Sequence, residues 1–514
     1  MTDNGKSIGK LLYLSEELKH VNNLLGEGRI DEAFQEIEEL EKRKELSPHN
    51  RLSIKILRCK YYNKAAKYLE VLTYSNEILK ENQQYGDLLI DFDTYLNQAH
   101  AYLMIGNLSK GEDFLNQSEI LFEKLKGIPN NELRERESSM IRNKSIISSF
   151  KGDSHQAIIL NKKALELAQE CQDTSLISFS LINIAEGYRN LGDYDKAIYF
   201  AKRSVEVPNP LALMWRMGHL IDSYLSKGDI ANAKLCFQQM KEQREKDQSD
   251  RGLKAYKFFK AKILKTSLRA KDRVKAEELF KQFLEEKADF QFMVEAIFNI
   301  CGLLLIELRI TNDREIFQEI DFYVNKLLQF AEHQKNYTLL AKTYLLQSKI
   351  VLLNFNIKAS KRFLIQVQQI AKRFSIKEFY ERIDEEKKNI ISKSNSWEKL
   401  EELDAPMADR MELAQIDDLI GEVSHKRFNI IPQVTEEKVA IHEEKKICIV
   451  CRGEVFRFSY ICECGSIYCE NCARALINLE NVCWACDAPI DYSKPIKPYK
   501  EEVTLKPDKK KDKD

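Results

Sequence analysis

A turn position followed five residues later by a small packing residue recurs along most of this chain. The copies are Gly28 and Ala33, Ala66 and Val71, Gly106 and Gly111, Gly152 and Ala157, Gly192 and Ala197, and Gly228 and Ala233, with weaker ones at Lys271 and Ala276 and at Asn354 and Ala359. Because a helix pair cannot bury its apolar stripe alone, repeats of this kind stack on their neighbours. The pattern predicts a mostly α chain, with an α-solenoid of eight or nine repeats over residues 8–392.

Composition agrees with a helical chain and limits the class of partner that the chain can bind. Only 10 of the 514 residues are Pro and 18 are Gly, which favours long helices. Lys plus Arg and Asp plus Glu both count 80, and this balance argues against nucleic acid as the main partner. The start of the chain has no apolar signal core and no later segment is a membrane span, so we expect a reducing, cytoplasmic setting.

The clearest copy of the repeat is SLINIAEGYRNLGDYDKAIYFAKRSVEVP. Tyr188 closes its first helix, Gly192 and Asp193 make the turn, Ala197 packs at the crossing and Pro208 ends the second helix. This order resembles the tetratricopeptide repeat. The resemblance implies a right-handed solenoid whose groove, lined by first helices, binds a protein or a peptide.

Three asparagines share one position in this pattern. Asn97, Asn143 and Asn183 each lie 14 residues before the packing residues Gly111, Ala157 and Ala197. In peptide-binding tetratricopeptide domains an Asn at this position hydrogen-bonds the ligand backbone, so the resemblance implies a partner-binding ladder. Arg142, Glu186 and Arg189 are expected nearby, and Arg189 is assigned to the site with the asparagines. The alternative is a solvated face with three coincident asparagines.

A linker is predicted over residues 393–440. It contains one amphipathic stretch, ADRMELAQIDDLIGEV, whose apolar face would be formed by Met411, Leu413, Ile416, Leu419 and Ile420. We expect this helix to cap the last repeat, with an independent partner helix as the alternative. The charged residues 496–514 predict a disordered tail.

Eight cysteines in four close pairs define a second module near the end of the chain. They are Cys448, Cys451, Cys462, Cys464, Cys469, Cys472, Cys483 and Cys486. Eight thiolates match two tetrahedral zinc sites, and with four protein ligands each, the two ions would be structural. A redox motif or a disulfide scaffold is the alternative, and disulfides belong mainly to secreted domains.

The order and spacing of these pairs resemble an all-cysteine RING finger, here over residues 441–495. The resemblance implies interleaved ligation, with the first and third pairs on one zinc ion and the second and fourth on the other. Spacing also permits sequential ligation. The loop between the second and third pairs has four residues, longer than the two or three of the RING pattern.

RING fingers bind a ubiquitin-conjugating enzyme through an apolar patch and supply no nucleophile. Carried over by position, the partner-binding residues would be Ile449, Leu476 or Ile477, Ala488 or Pro489, and Trp484. Two positions depart from the family, since Trp484 stands where Pro is common and Asp487 stands where a cation contacts ubiquitin. For Ile449 and Trp484 the alternative is packing between the two zinc lobes.

These features predict a protein-interaction adaptor in which the solenoid binds one protein and the finger binds another. The alternative is a RING-type E3 ubiquitin ligase whose solenoid selects the substrate. A further alternative is a transcription or repair assembly factor, because the finger also resembles one in a core subunit of the general transcription and DNA repair factor. No phosphate loop, hydrolase elbow or metalloprotease motif is found, and no catalytic residue is predicted.

Overall fold

The computed structural model describes residues 15–125, 131–247, 249–285, 290–374, 376 and 379–416, and in the C-terminal part 448–451, 458–462, 464, 466–469, 472–473, 482–486, 488–489 and 497–498. Several predictions fall outside these residues. They are the assignments of residues 8–14 and 417–447, of Leu419, Ile420, Leu476, Ile477 and Asp487, and of the tail beyond residue 498.

The described part of the chain contains nine helix pairs, which confirms the predicted α-solenoid. The first helices of the pairs are α1 Glu16–Glu27, α3 Pro48–Lys64, α5 Leu88–Met104, α7 Asn131–Phe150, α9 Thr174–Asn190, α11 Leu213–Lys227, α13 Asp250–Lys265, α15 Phe290–Thr311 and α17 Tyr337–Leu353. The second helices are α2 Ile30–Glu41, α4 Tyr68–Asn82, α6 Leu108–Leu125, α8 Ser154–Glu170, α10 Tyr194–Glu206, α12 Ile230–Lys246, α14 Ala270–Glu285, α16 Ile316–His333 and α18 Ile357–Phe374.

The Gly-Asp turns explain how the two helices of a pair are joined so tightly. Gly192 has φ +78°, a left-handed conformation that costs Gly little. Its N–H donates to the carbonyl of Arg189 at 3.0 Å. The next residue, Asp193, caps α10 by accepting the N–H of Lys196 at 3.2 Å. One dipeptide therefore ends one helix and begins the next.

Small residues at the crossing bring the paired helices close together. Ala197 is fully buried, as are Ala33, Ala157, Ala233 and Ala276 at the same position of other pairs. In the eighth pair the left-handed residue is Asn312, at φ +56°, and the buried residue five positions on is Phe317. A larger residue at the crossing explains why the sequence pattern shows no clear copy at the eighth pair.

Successive turns of the superhelix contact one another. The end of each early first helix meets the beginning of a first helix about five pairs later, through carbonyls that have no partner inside their own helix. The Arg251 Nη1 donates to the carbonyl of Lys64 at 2.7 Å, and Asn209 Nδ2 donates to the carbonyl of Gly26 at 3.2 Å. Thr338 donates likewise to the carbonyl of Phe150. The contacts enclose a central lumen.

Gly106 belongs to the same set of contacts between turns. It lies after α5 with φ +85°, and a Cβ there would fall 2.3 Å from the ring of Phe290, the first residue of α15. A side chain at this position would therefore both strain the backbone and push the two superhelical turns apart.

Three more helices follow the array: α19 Tyr380–Ser392, α20 Ser394–Glu402 and α21 Met407–Ala414. The last two lie within the predicted linker, yet they pack on the array. Trp397 is 1% exposed. The guanidinium of Arg410 lies 4.2 Å from the ring centroid of Phe355, and its Nη1 donates to the carbonyl of Leu353 at 3.1 Å. The α21 helix thus covers the end of the ninth pair, whereas the domain boundaries stay predictions.

The C-terminal module that carries the eight cysteines, residues 448–498, is called the finger. It contains a small antiparallel sheet in the order β2-β1-β3. Its strands are β1 Phe458–Ile461, β2 Ile467–Cys469 and β3 Lys497–Pro498. Tyr460 pairs with Tyr468 between β1 and β2, and Ser459 pairs with Lys497 between β1 and β3. Strand β3 therefore lies within residues 496–514, the stretch that was expected to be a disordered tail.

Candidate functional site

The lumen is a cavity of about 1490 Å³ lined mainly by residues of the first helices. Every first helix from α1 to α17 contributes to its wall, because the first helices form the concave side of the superhelix. Apolar side chains such as Tyr68, Trp215 and Phe298 alternate there with polar ones. A cavity of this size exceeds the 300–1,000 Å³ that is typical of pockets for small molecules.

The three predicted asparagines all line the lumen, but their amides differ in what they bind. Asn97 accepts a hydrogen bond from Asn63 at 2.8 Å and donates to the carbonyl of Asp93 at 2.7 Å. Asn143 is 1% exposed, and its Oδ1 lies 3.1 Å from the Nδ1 of His100. Two of the three amides therefore also hold neighbouring helices together.

Asn183 is the half-buried member of the set. Its Nδ2 lies 3.4 Å from the Oδ1 of Asn161, a long contact compared with the bonds of Asn97. Of the three asparagines, Asn183 has the amide with the weakest hydrogen bond to the rest of the fold. The assignment of all three to partner binding stays a prediction.

Arg189 lies on the wall of the lumen within a network of buried charges. Its Nη1 lies 3.2 Å from a carboxylate oxygen of Asp222, and Lys262 bridges Asp222 to Glu295. Asp222 and Lys262 are almost fully buried. These four residues come from the successive first helices α9, α11, α13 and α15, so the network joins four repeats along the inner wall.

A second network joins the N-terminal first helices. Lys60 donates to Glu135 at 3.0 Å and to Asn22 at 2.8 Å. Arg136 forms a two-pronged ion pair with Asp93, both bonds being 2.7 Å. Although burial opposes it, the pKa of Glu135 is lowered to about 2 by Lys60 and Arg136. These pairs compensate each charge that the fold has removed from water.

Neither network was predicted, although the sequence carried a signal for the one that contains Arg189. Asp222, Lys262 and Glu295 interrupt otherwise apolar stretches of first helices, in LIDSYL, FFKAKIL and FMVEAIF. Charged residues inside apolar helical runs are rarely buried without partners. Each lies in the first helix of a successive repeat, so stacking of the repeats would have placed them side by side on the inner wall.

The finger brings its eight cysteines together in two sets of four. One set contains Cys448, Cys451, Cys469 and Cys472, and the other contains Cys462, Cys464, Cys483 and Cys486; within each set the sulfurs lie within 4.8 Å of one another. Four thiolates 2.3 Å from a central ion would stand about 3.8 Å apart. The observed separations of 3.6 Å between Cys451 and Cys469 and of 3.6 Å between Cys462 and Cys486 match that geometry.

The two sets are the interleaved ones, so the described cysteines are not grouped sequentially. A backbone hydrogen bond explains this, because the N–H of Ile449 donates to the carbonyl of Ile467 at 2.9 Å and so holds the first pair beside β2, which ends at Cys469. Tyr468 supports the second set through its hydroxyl, which lies 3.0 Å from the sulfur of Cys483. Burial raises the pKa of Tyr468, so its hydroxyl keeps the proton that it donates to the sulfur, as outer-sphere groups of metal sites do.

The predicted partner-binding residues of the finger have different surroundings. Ile449 is half-buried and packs against the apolar centre of the finger. Trp484 is 40% exposed, and its carbonyl accepts a hydrogen bond from Gln369 of the helical array. Pro489 is exposed. Leu476 and Ile477 lie outside the described residues.

No protein-family model matches this sequence, and no curated protein matches it. Solved structures are similar at low sequence identity. NprR in complex with its cognate peptide NprX is 14% identical, with 69% of this chain and 98% of that chain covered and a TM-score of 0.48. The apo form of the quorum sensor NprR from B. thuringiensis is 15% identical, with coverages of 72% and 99% and a TM-score of 0.46.

A Rap protein complexed with competence and sporulation factor is 15% identical, with coverages of 62% and 97% and a TM-score of 0.41. Each of these likenesses is one of overall fold at low identity. None of the described helices has the length and apolar character needed to span a bilayer.

Proposed function

We propose that this protein is an interaction adaptor whose lumen binds a peptide or an extended segment of a protein. The observation that carries the proposal is the cavity of about 1490 Å³, whose wall combines apolar side chains with amides. An extended peptide presents both apolar side chains and unpaired backbone groups. An Asn side chain can satisfy such a backbone because its amide donates and accepts at once.

Selection from a library of randomised octapeptides on the full-length protein tests this proposal. Asn183→Ala should weaken the selected peptides by about tenfold, since a hydrogen bond to the ligand backbone is lost. The matched control is Asn116→Ala, which removes an exposed amide from the outer helix α6. If the wild type retains no peptide above background, or if both variants bind alike, the lumen is not the peptide site.

We infer that the finger holds two zinc ions and that it contacts a second protein. Two sets of four thiolates at tetrahedral separations favour zinc over harder metals. Thiols also remain available to a metal in a reducing compartment, which supports a cytoplasmic location. The exposed Trp484 and Pro489 offer the apolar contact surface.

The interleaved cysteine sets favour a second hypothesis, in which the finger acts as a RING-type E3 ligase. Discharge of ubiquitin from a thioester-charged conjugating enzyme, measured with wild type and Ile449→Ala, separates the two. Acceleration that the substitution abolishes would support the ligase. No acceleration with a panel of conjugating enzymes would leave the finger as a binding module.

A further inference from the structure

Arg142 is a cation of the lumen wall without a carboxylate partner. It projects from α7, and its Nη2 lies 3.3 Å from the Nδ1 of His100, while its guanidinium lies 5.8 Å from the ring centroid of Phe179. Its Nε is buried and has no hydrogen-bond partner. Among the described residues no carboxylate lies within 4.0 Å of Arg142. A buried donor without a partner carries the full cost of its desolvation.

Two further cations line the same lumen: Lys64, on which the charge of Arg142 acts, and Arg251, whose side chain meets the carbonyl of Lys64. Lys64 is the last residue of α3, and in the described part of the chain it makes no ion pair. Its carbonyl accepts the 2.7 Å hydrogen bond from Arg251 that joins two superhelical turns. The Nε of Arg251 is buried and without a hydrogen-bond partner, as is that of Arg142. We call Lys64, Arg142 and Arg251 the cationic patch.

The charges around the cationic patch do not balance it. Asp173 is the acidic residue that acts on both Lys64 and Arg142, and its carboxylate caps α9 by accepting the N–H of Leu176 at 2.9 Å. Burial raises the pKa of Asp173, although Lys64 opposes this. His100 adds no charge, because burial, Arg142 and Lys64 lower its pKa to about 3.

The rest of the inner wall makes the contrast clear. Lys60 lies 3.0 Å from Glu135, and Lys262 is paired with Asp222 and Glu295. These cations of the lumen wall join helices through carboxylate partners, whereas in the described part of the chain Arg142 and Lys64 have none within 4.0 Å. The patch instead faces the capped carboxylate of Asp173, while Glu135, which also acts on Lys64, is already paired with Lys60. A local positive potential therefore remains on this part of the wall.

We propose that the cationic patch binds a carboxylate of the peptide in the lumen, an inference that rests on the proposed function. A guanidinium offers a planar fork that matches the two oxygens of a carboxylate. Lys64 adds a point charge beside it. The bound anion would supply the partners that Arg142 and Arg251 lack in the fold.

The carboxylate could belong to the C-terminus of the ligand or to an Asp or Glu side chain, and two libraries separate these sources. Randomised octapeptides are offered to the full-length protein with a free C-terminal carboxylate and, separately, with a C-terminal amide. Enrichment from the free-acid library alone identifies the C-terminus. Enrichment from both, with Asp or Glu at one fixed position, identifies a side chain. Both results support the inference.

Substitution of the patch then tests which groups hold the carboxylate. Lys64→Gln with Arg142→Gln should weaken the selected peptides by roughly tenfold to a hundredfold, because hydrogen bonds to a charged group are lost. The same variant should keep or raise the melting temperature, since it removes desolvated charges that lack partners. Lys80→Gln removes an exposed charge from the outer helix α4 and is the matched control.

The outcomes separate this inference from the proposed function. If peptides bind and Asn183→Ala weakens them, but the double Gln variant binds them as wild type does, the lumen takes peptides and the patch does not hold their carboxylate. Selected peptides that need no carboxylate would overturn the inference in the same way. If the wild type retains no peptide, both proposals fail.

Discussion

The helical array and the finger of this chain are stabilised in opposite ways. In the array each pair repeats the same burial, with fully buried residues such as Ala197, Phe258 and Leu345, so its stability is spread over many interfaces. The apolar centre of the finger is small, with Ile467, Tyr468 and Ala473 as its buried apolar residues besides cysteine among those described. A module of this size depends on metal for most of its stability. One substitution should therefore unfold the whole finger, whereas a substitution in the array should unfold only the helices around it.

The largest expected effect is the loss of one cysteine ligand. Cys469→Ser should unfold the finger, because binding of a structural metal supplies folding free energy on the order of 10 kcal/mol per site. Zinc content by mass spectrometry should fall, while the far-ultraviolet helical signal of the array stays unchanged. Cys236→Ser, which alters a buried thiol of the array, is the matched control and should keep its zinc. Equal zinc content in the Cys469→Ser variant and the wild type would refute the ligand assignment.

A smaller effect is expected where the array ends. Trp397 fills the contact between α20 and the ninth pair, with its ring 6.4 Å from that of Phe355. Trp397→Ala should cost about 3–5 kcal/mol, as large truncations in a core do. The loss should be local, so limited proteolysis would cut near residues 393–416 while the earlier pairs stay intact.

Trp484→Ala is the matched control for that experiment, because it truncates an exposed Trp of the finger. It should leave the proteolytic pattern of the array unchanged. If Trp397→Ala instead lowered the stability of all nine pairs together, the array would be one cooperative unit, and the contrast with the finger would not hold.

The same difference between the two regions explains what the sequence could predict. A helical repeat can be recognised from its turn and crossing residues, so positions such as Gly192 and Ala197 indicated the α-solenoid directly. Close pairs of cysteines likewise indicated two metal sites, since chemistry limits how eight thiolates can be used. Both signals are local in the chain.

Long-range placement could not be predicted in this way. The bond of Arg251 to the carbonyl of Lys64 joins residues 187 positions apart, and it depends on the pitch that many small rotations between repeats add up to. The same pitch decides which lumen cations find partners. The packing of α20 on the array was obscured as well, because a short helix after the last repeat read as part of a linker, whereas the stretch that includes α21 was expected to cap the last repeat.

A buried lysine offers the finest test of how the array carries its charges. Lys265 is 3% exposed, and its Nζ donates to the Oδ1 of Asn299 at 2.8 Å. Burial and the neighbouring Lys262 lower its pKa to about 7, although Glu295 and Cys301 oppose this. In the unfolded chain a lysine keeps a pKa near 10.4. Between about pH 7 and pH 10 the unfolded state therefore holds one proton more than the folded state.

Stability of the array should consequently rise with pH in that window, by about 1.4 kcal/mol per pH unit for this group at most. Below pH 7 both states hold the proton, and the penalty for burying the ammonium stays constant. Lys265→Met should remove this slope and raise the melting temperature at pH 7, because an apolar side chain of similar length replaces a desolvated cation. Melting curves between pH 6 and pH 10 measure both effects.

Lys80→Met, at an exposed position of the outer helix α4, is the matched control and should keep the slope of the wild type. Other groups also titrate in this window, so the quantity that decides is the difference between the Lys265→Met curve and the Lys80→Met curve. Parallel curves would mean that Lys265 keeps its proton in the folded state. The array would then tolerate a buried cation that has no carboxylate partner, and in that respect Lys265 would resemble Arg142.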